Sequence, residues 1–241
     1  SLYIIGTYRD SILQKIKNSK LVPNQGYKYS DYTFILAQKY LEDQLHASLD
    51  ISAYTHFYKK IGAGTLTYNP TQRFDLHDLV PTEIDTYFRR DTIQGFVHDM
   101  AAAMQGGVGG HAGLFGNALD VAKMMQLFLQ KGNYAGEQYF SSATFDTFNT
   151  RYFETLGSRR GLGFDKPQLP GNAGPTCGCV SAESFGHTGF TGTIAWADPK
   201  TQLVYVFLSN RTFPDSNAPN ALSQQNVREQ IQKAIQDAIL E

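Results

Sequence analysis

The chain has 241 residues, 41% of them hydrophobic, with 21 basic against 22 acidic side chains and a formal net charge of −1. That length allows one large domain or two small ones, and the composition is that of an ordinary globular protein. The near-zero charge leaves no electrostatic footprint for nucleic acid, and no apolar run approaches the roughly 18 residues that cross a membrane. Ser1-Leu2-Tyr3 opens without a charged stretch or a long apolar one, so no signal peptide is read there.

In chain order, Ile12, Leu13 and Ile16, with Tyr8, recur at helical spacing and predict a helix over residues 7–19. A loop with Pro23, Asn24 and Gly26 fills 20–28. A second helix is expected over 31–46, with Phe34, Ile35, Ala37, Leu41 and Leu45 on its buried side and Asp31 as its cap. A short helix over 51–61 follows, then a turn-rich stretch over 62–98. Residues 106–113 form a glycine cluster, Gly106-Gly107-Val108-Gly109-Gly110-His111-Ala112-Gly113. An amphipathic helix is expected over 118–131, with Leu119, Ala122, Met125, Leu127 and Leu129 opposite Asp120, Lys123, Gln126 and Gln130, and Gly132 ending it. Another short helix covers 142–150. Apolar runs at Ile194-Ala195-Trp196-Ala197 and Leu203 to Leu208, around a turn with Asp198, Pro199 and Lys200, predict an antiparallel hairpin within strands at 184–210. A last helix over 221–240 carries Val227, Ile231, Ala234, Ile235 and Ile239 on one face.

Several chemistries find little footing. A disulfide between Cys177 and Cys179 would close over one residue under strain, and a metal site would need further ligands, so two loop thiols are expected there. His98, Asp99 and His111 are metal-ligand types at a spacing that matches no metal signature; pocket-lining or supporting roles fit all three better. The glycine cluster lacks the Lys-Ser/Thr ending of a phosphate loop, and its glycines are read as letting backbone approach closely. Arg9-Asp10 and Arg89-Arg90-Asp91 read as surface or structural ion pairs. No metal and no cofactor are expected.

The most informative stretch is Phe185-Gly186-His187-Thr188-Gly189-Phe190-Thr191-Gly192-Thr193. Penicillin-binding proteins and β-lactamases carry Ser-x-x-Lys, then a second polar motif, then Lys-Thr-Gly. Here His-Thr-Gly stands where Lys-Thr-Gly would, and no serine in the chain has Lys three residues on. No Gly-x-Ser-x-Gly elbow occurs. Ser184, three residues before His187 on a strand, would point to the opposite face, and Ser30 beside Tyr29 has no lysine partner.

With Gly6-Thr7-Tyr8-Arg9-Asp10, Tyr27 to Asp31, Val80 to Asp85, Gly95 to Asp99, Gly109 to Phe115, Asp198-Pro199 and Ser209 to Thr212, this ordered series spans essentially the whole chain. It resembles the later part of a class C β-lactamase-like serine hydrolase, closest to the domain that follows a family 3 glycoside hydrolase, a β-N-acetylhexosaminidase, in Bacteroidetes proteins. The resemblance implies an α/β (α+β) fold, an antiparallel sheet flanked by helices with a helical subdomain. Residues 1–241 would be one partial domain, about 1–180 helical subdomain and cleft loops, about 181–241 sheet strands and C-terminal helix.

The resemblance also assigns roles. Tyr29-Ser30-Asp31 stands for the family's Tyr-x-Asn, making Tyr29 the proton carrier. Asp31 replaces an amide with a group that cannot donate while ionised. His187 takes the place of the third-motif lysine, which holds an acidic substrate; an imidazole does so only when protonated. Weaker preference for anionic β-lactams and tolerance of esters or amides are therefore expected. Thr188, Gly189 and Phe190, with Ser30, Asp31, Asp99 and His111, are the expected substrate-binding residues, on an edge strand and loops lining the cleft, and the Phe190 N–H is an expected oxyanion donor. The implied substrate is a β-lactam, a peptidoglycan peptide or an ester, in the periplasm or at the cell surface. The chain alone, lacking the nucleophile, is expected to be inactive. The competing reading is a non-catalytic cell-wall-binding or scaffold module attached to the glycosidase. A chain truncated before residue 1 would also expose apolar surface, which a homodimer could cover.

Overall fold

The computed structural model describes residues 8–23 and 27–240. Gly6, Thr7, Asn24 and Gly26, named above, lie outside them. The chain forms two compact units, Ser1–Gly116 with Thr212–Ser216, and Asn117–Arg211 with Asn217–Glu241.

The first unit is helical with one small hairpin. Helix α1 is Tyr8–Lys17 and α2 is Tyr32–Leu45. Arg9 pairs with Glu42 of α2 rather than with its neighbour Asp10. The α2 face departs from expectation. Ile35 and Gln38 are its buried residues, whereas Phe34, Leu41 and Leu45 are exposed. What fixes the helix is polar: Gln38 donates to the Val108 carbonyl at 3.1 Å and accepts from the Gly110 N–H at 2.8 Å. Gly110 can lie there because it has no side chain; a Cβ would stand 2.4 Å from the Phe34 carbonyl oxygen.

Helix α3, Leu49–Ala53, runs into a π-helical turn at Tyr54–Tyr58. The turn-rich stretch holds an antiparallel pair, β1 Glu83–Asp85 and β2 Asp91–Ile93. Asp85 makes the connection tight by accepting three backbone N–H groups, of Tyr87, Phe88 and Arg89, each at 2.8 Å. Segment Thr212–Ser216 returns alongside β1: the Ile84 N–H donates to the Pro214 carbonyl and the Thr212 hydroxyl to the Thr82 carbonyl. Helix α4, Met100–Met104, then leads into the glycine cluster.

The second unit is built on a three-stranded antiparallel sheet, β5 Phe185–Thr188, β6 Ile194–Asp198 and β7 Leu203–Phe207, ordered β5-β6-β7; two-residue strands β3 Asn133–Tyr134 and β4 Glu137–Gln138 pair separately. Strand alternation sends its residues to two layers. On one face Phe185 and Ala197 pack with Met125, Leu129 and Phe145 of helices α5, Ala118–Leu129, and α6, Ser142–Asn149. Phe185 lies 5.0 Å from Phe145 and 4.8 Å from Phe164, ring centroid to centroid. On the other face Ile194, Trp196 and Tyr205 receive Ile231 and Ile235 of helix α8, Val227–Leu240. The expected final helix is split: α7, Ala221–Gln224, is separated from α8 by Asn226 in the left-handed region.

Two further expectations are corrected in this unit. In α5, Leu119 is exposed and Asp120 buried, because Asp120 sits in the first turn, takes the Lys123 ammonium at 2.7 Å, and its N–H is capped by Asn117. The cysteines are not two thiols: Cys177 and Cys179 form a disulfide. Gly178, at φ +73°, turns the chain so that the two Cα atoms stand 5.2 Å apart, within bridging reach.

Replacing Phe185 by Ala removes a ring from a fully packed layer and should cost about 3–5 kcal/mol in urea unfolding. Leu119→Ala, on the exposed side of α5, should stay within about 0.5 kcal/mol of wild type.

Candidate functional site

The expected site residues fall on both units. In the first, Tyr29, half exposed, sits in the irregular segment before α2. The Ser30 hydroxyl accepts the Tyr32 N–H at 3.2 Å, a local turn bond that starts the helix. Asp31 occupies the capping position, but the group that accepts is its main-chain carbonyl, from Phe34 and Ile35; its carboxylate makes no capping bond.

The structure brings Asp99 and His111 together. Asp99 caps α4, accepting the Ala102 N–H at 2.8 Å, and its same oxygen meets His111 Nε2 at 3.0 Å. Burial of Asp99 works against its charge, but the His111 and Ala102 hydrogen bonds outweigh this and hold its carboxyl below the ordinary value. The His111 side chain is almost fully enclosed. A second pair lies one residue earlier, His98 Nε2 against Glu83 at 2.8 Å, with Ser216 donating to the other Glu83 oxygen. Arg89 binds this turn by donating to the carbonyls of Val97 and His98, at 2.6 and 3.4 Å. Each histidine is thus engaged by a carboxylate of its own.

In the second unit His187 is exposed near the end of β5, and Thr188, paired with Ile194, closes the strand. Gly189 and Phe190 lie in the turn that follows rather than on the strand. The Gly189 N–H donates to the Thr193 carbonyl at 2.8 Å, and a Cβ on Gly189 would stand 2.2 Å from the Thr193 hydroxyl. The exposed Phe190 ring is covered by the Arg211 guanidinium, 4.7 Å from its centroid. Ser184 is fully buried with its hydroxyl accepting the Trp196 indole N–H at 3.0 Å, so it belongs to the core.

Sequence reasoning missed the group behind His187. Asp165, 1% exposed, pairs its backbone with Gly186 on the outer side of β5. Its carboxylate meets Arg159 Nε at 2.7 Å and accepts from Arg159 Nη2 at 2.8 Å. Arg160 Nη2 stands 3.3 Å from the same carboxylate, and its Nη1 stands 2.7 Å from His187 Nε2. The adjacent Arg159-Arg160 pair six and five residues before an aspartate was the available signal, but 27 residues separate Arg160 from His187 and no periodicity links them.

The next residue, Lys166, points inward. Its ammonium donates to the Asn149 side chain at 2.9 Å and the Glu183 carbonyl at 2.8 Å. Burial first, and Arg151 second, lower its pKa to about 8.

An antiparallel sheet with a terminal helix on one face and helices on the other, its outer strand ending in His187-Thr188, defines a fold of the beta-lactamase/transpeptidase-like class. The chain belongs to the beta-lactamase family, whose model matches residues 5–228. It is 33% identical over 236 residues to a protein of Salmonella agona named "Putative D-alanyl-D-alanine carboxypeptidase", covering 91% of this chain and 53% of that one. A protein of the same name from Escherichia coli is 34% identical over 216 residues, 83% of this chain and 49% of the other. The chain therefore spans about half the length of the curated relatives it matches. Among solved structures it is similar to a beta-lactamase from Mycobacterium bovis (TM-score 0.61, 18% identity, 91% of this chain and 66% of that one). A penicillin-binding protein homolog from Caulobacter crescentus matches with TM-score 0.59, 18% identity and 87% and 60% coverage. A D-amino acid amidase from Ochrobactrum anthropi matches with TM-score 0.64, 12% identity and 95% and 64% coverage. At these identities the structures establish the fold.

Lys166 gives stability a pH dependence. Between the folded pKa of about 8 and the ordinary lysine value of 10.5, the unfolded chain holds the proton and the folded chain does not. Stability from this group therefore rises with pH through that window. Burial raises Tyr205 to about 12, which acts in the opposite sense above the ordinary tyrosine value of 10.0. Thermal melts between about pH 7 and pH 9.5 should show an upward contribution that Lys166→Met abolishes.

Proposed function

We propose that the chain is the later part of a serine acyl hydrolase that forms an acyl-enzyme with a peptidoglycan-derived peptide, a β-lactam or an ester. The observation that carries this reading is His187 and Thr188 at the end of β5, with Gly189 in the turn that follows, on a beta-lactamase fold, together with a 33%-identical relative named as a carboxypeptidase. Acyl transfer needs a nucleophile, a base and oxyanion donors. No Ser-x-x-Lys stands in residues 1–241, so the reading places the nucleophile in a preceding part of the protein and makes this chain alone inactive. Residues 1–241 would then be part of one domain.

Within that reading Tyr29, half exposed in the segment before α2, carries the proton. Ser30, Asp31, Asp99, His111, Thr188, Gly189 and Phe190 contribute to substrate binding. The Asp99–His111 pair does so indirectly, by fixing the turn into α4. The Cys177–Cys179 disulfide fits an oxidising compartment, which supports a periplasmic or cell-surface location. The resemblance to domains that follow a β-N-acetylhexosaminidase supports a glycosidase in the same protein, and the exposed α2 face supports a homodimer.

The test is intact mass after incubation with a fluorescent penicillin and, separately, a fluorophosphonate, on residues 1–241 and on the full-length protein. Labelling of the full-length protein alone is expected. Labelling of residues 1–241 would overturn the assignment of the nucleophile, and labelling of neither would favour a cell-wall-binding or scaffold module. In the labelled protein, Tyr29→Phe should slow acylation at least about a hundredfold.

A further inference from the structure

We propose that the Cys177–Cys179 bridge is a thiol–disulfide exchange site, at which a thiol from outside the chain is oxidised while the bridge is reduced, with Cys179 the sulfur attacked. The proposal is independent of the acyl-hydrolase reading; its residues all belong to the second unit.

The bridge joins cysteines two positions apart, so it ties the loop only to itself. Exposed disulfides are the labile ones, because exchange begins with a thiolate reaching one of the sulfurs. Both cysteines are only partly buried, and Gly178 between them is exposed and has no side chain to shield the bond. Residues 1–241 hold no other cysteine, so the pair has no neighbour with which to reshuffle and takes its thiol from elsewhere.

The two sulfurs are not equivalent. Cys177 Sγ accepts the Cys179 N–H at 3.3 Å, whereas among the described residues no hydrogen bond reaches Cys179 Sγ. The backbone around Cys177 is held in place. Its N–H donates to Gln232 at 3.0 Å, and the Gly178 N–H donates to the Thr176 hydroxyl at 3.3 Å. That hydroxyl donates in turn to Gln168 at 2.8 Å. An N–H aimed at a sulfur binds it more strongly once the sulfur is a thiolate, since the bond is then charge-assisted. Cys177 is therefore the better leaving group, and attack falls on Cys179.

The exchange balances in two steps. A thiolate forms a bond to Cys179 Sγ as the bridge breaks, and the electron pair of the broken bond leaves on Cys177 as its thiolate. A second thiolate then attacks the outer sulfur of this mixed disulfide, releases the external pair as a disulfide and leaves Cys179 as a thiolate. The two cysteine thiolates take up the protons that the external thiols gave. The external thiols have lost two electrons and the bridge has gained them; the same steps in reverse, with an external disulfide, restore it.

The experiment exposes the folded full-length protein to reduced glutathione in one arm and to an unstructured peptide with one cysteine in the other. Free thiols are quenched with N-ethylmaleimide, and fragment ions assign the adducts on Cys177 and Cys179. The same rates are measured in guanidinium chloride. Opening of the bridge in the folded protein at a rate within about a hundredfold of the unfolded one is expected, because attack needs no unfolding. The transient adduct should lie mainly on Cys179, with N-ethylmaleimide on Cys177. Opening by glutathione alone assigns the site to small thiols, and opening in both arms extends it to protein thiols. Opening slower than that hundredfold limit in both arms would mark a shielded structural bond and overturn the proposal. So would adducts divided equally between the two sulfurs or gathered on Cys177.

Discussion

The buried carboxylate of Asp165 is the constraint on which the second unit's candidate site depends. Its backbone extends β5 on the outer side at Gly186, while β6 holds the inner side, so that strand is fixed from both directions. Gly186 is obligatory between them, since a Cβ would stand 2.2 Å from the Ala195 carbonyl oxygen and 2.5 Å from the Trp196 ring. A charge in that interior is tolerable only when paired. The need for a counter-ion draws both arginines of the 159–160 step to one place, and the second of them reaches the exposed ring of His187. Core packing and surface chemistry at the strand end therefore share one residue.

The first unit achieves rigidity differently. Asp85 gathers three amides, Arg89 bridges carbonyls of the following turn, and Asp99 caps a helix of one and a half turns while holding His111. These are side chains doing the work of secondary structure in a region with few regular elements. Charged groups serve here because their hydrogen bonds are stronger than neutral ones and each accepts or donates several.

The hairpin at β6 and β7, the layered sheet and helices α5, α6 and α8 were legible, because alternating or 3.6-residue apolar patterns persist over enough residues to leave little choice. The two corrected helix faces fail for one reason. In α2 the anchoring residue is Gln38, and in α5 the buried residue is Asp120; both are held by specific polar partners that hydropathy scores as solvent-facing. His187 was legible through its flanking Thr-Gly, whereas Arg160 was not, since its partnership depends on a backbone pairing between segments some twenty residues apart. The cysteine bridge was discounted on its short spacing, and the left-handed glycine between the two thiols is what allows it.

That bridge closes a ring of three residues, and so small a loop removes little freedom from the unfolded chain, roughly 1–2 kcal/mol in a loop-entropy account. Its influence is accordingly local. The Cys177 N–H donates to the buried side chain of Gln232 on α8 at 3.0 Å, and the Thr176 hydroxyl donates to Gln168 across the loop. The covalent link keeps the backbone curled at the point where it meets the helix that covers Trp196. It behaves as a clasp on one loop: opening it would loosen that loop's seat on α8 and leave the sheet beneath intact.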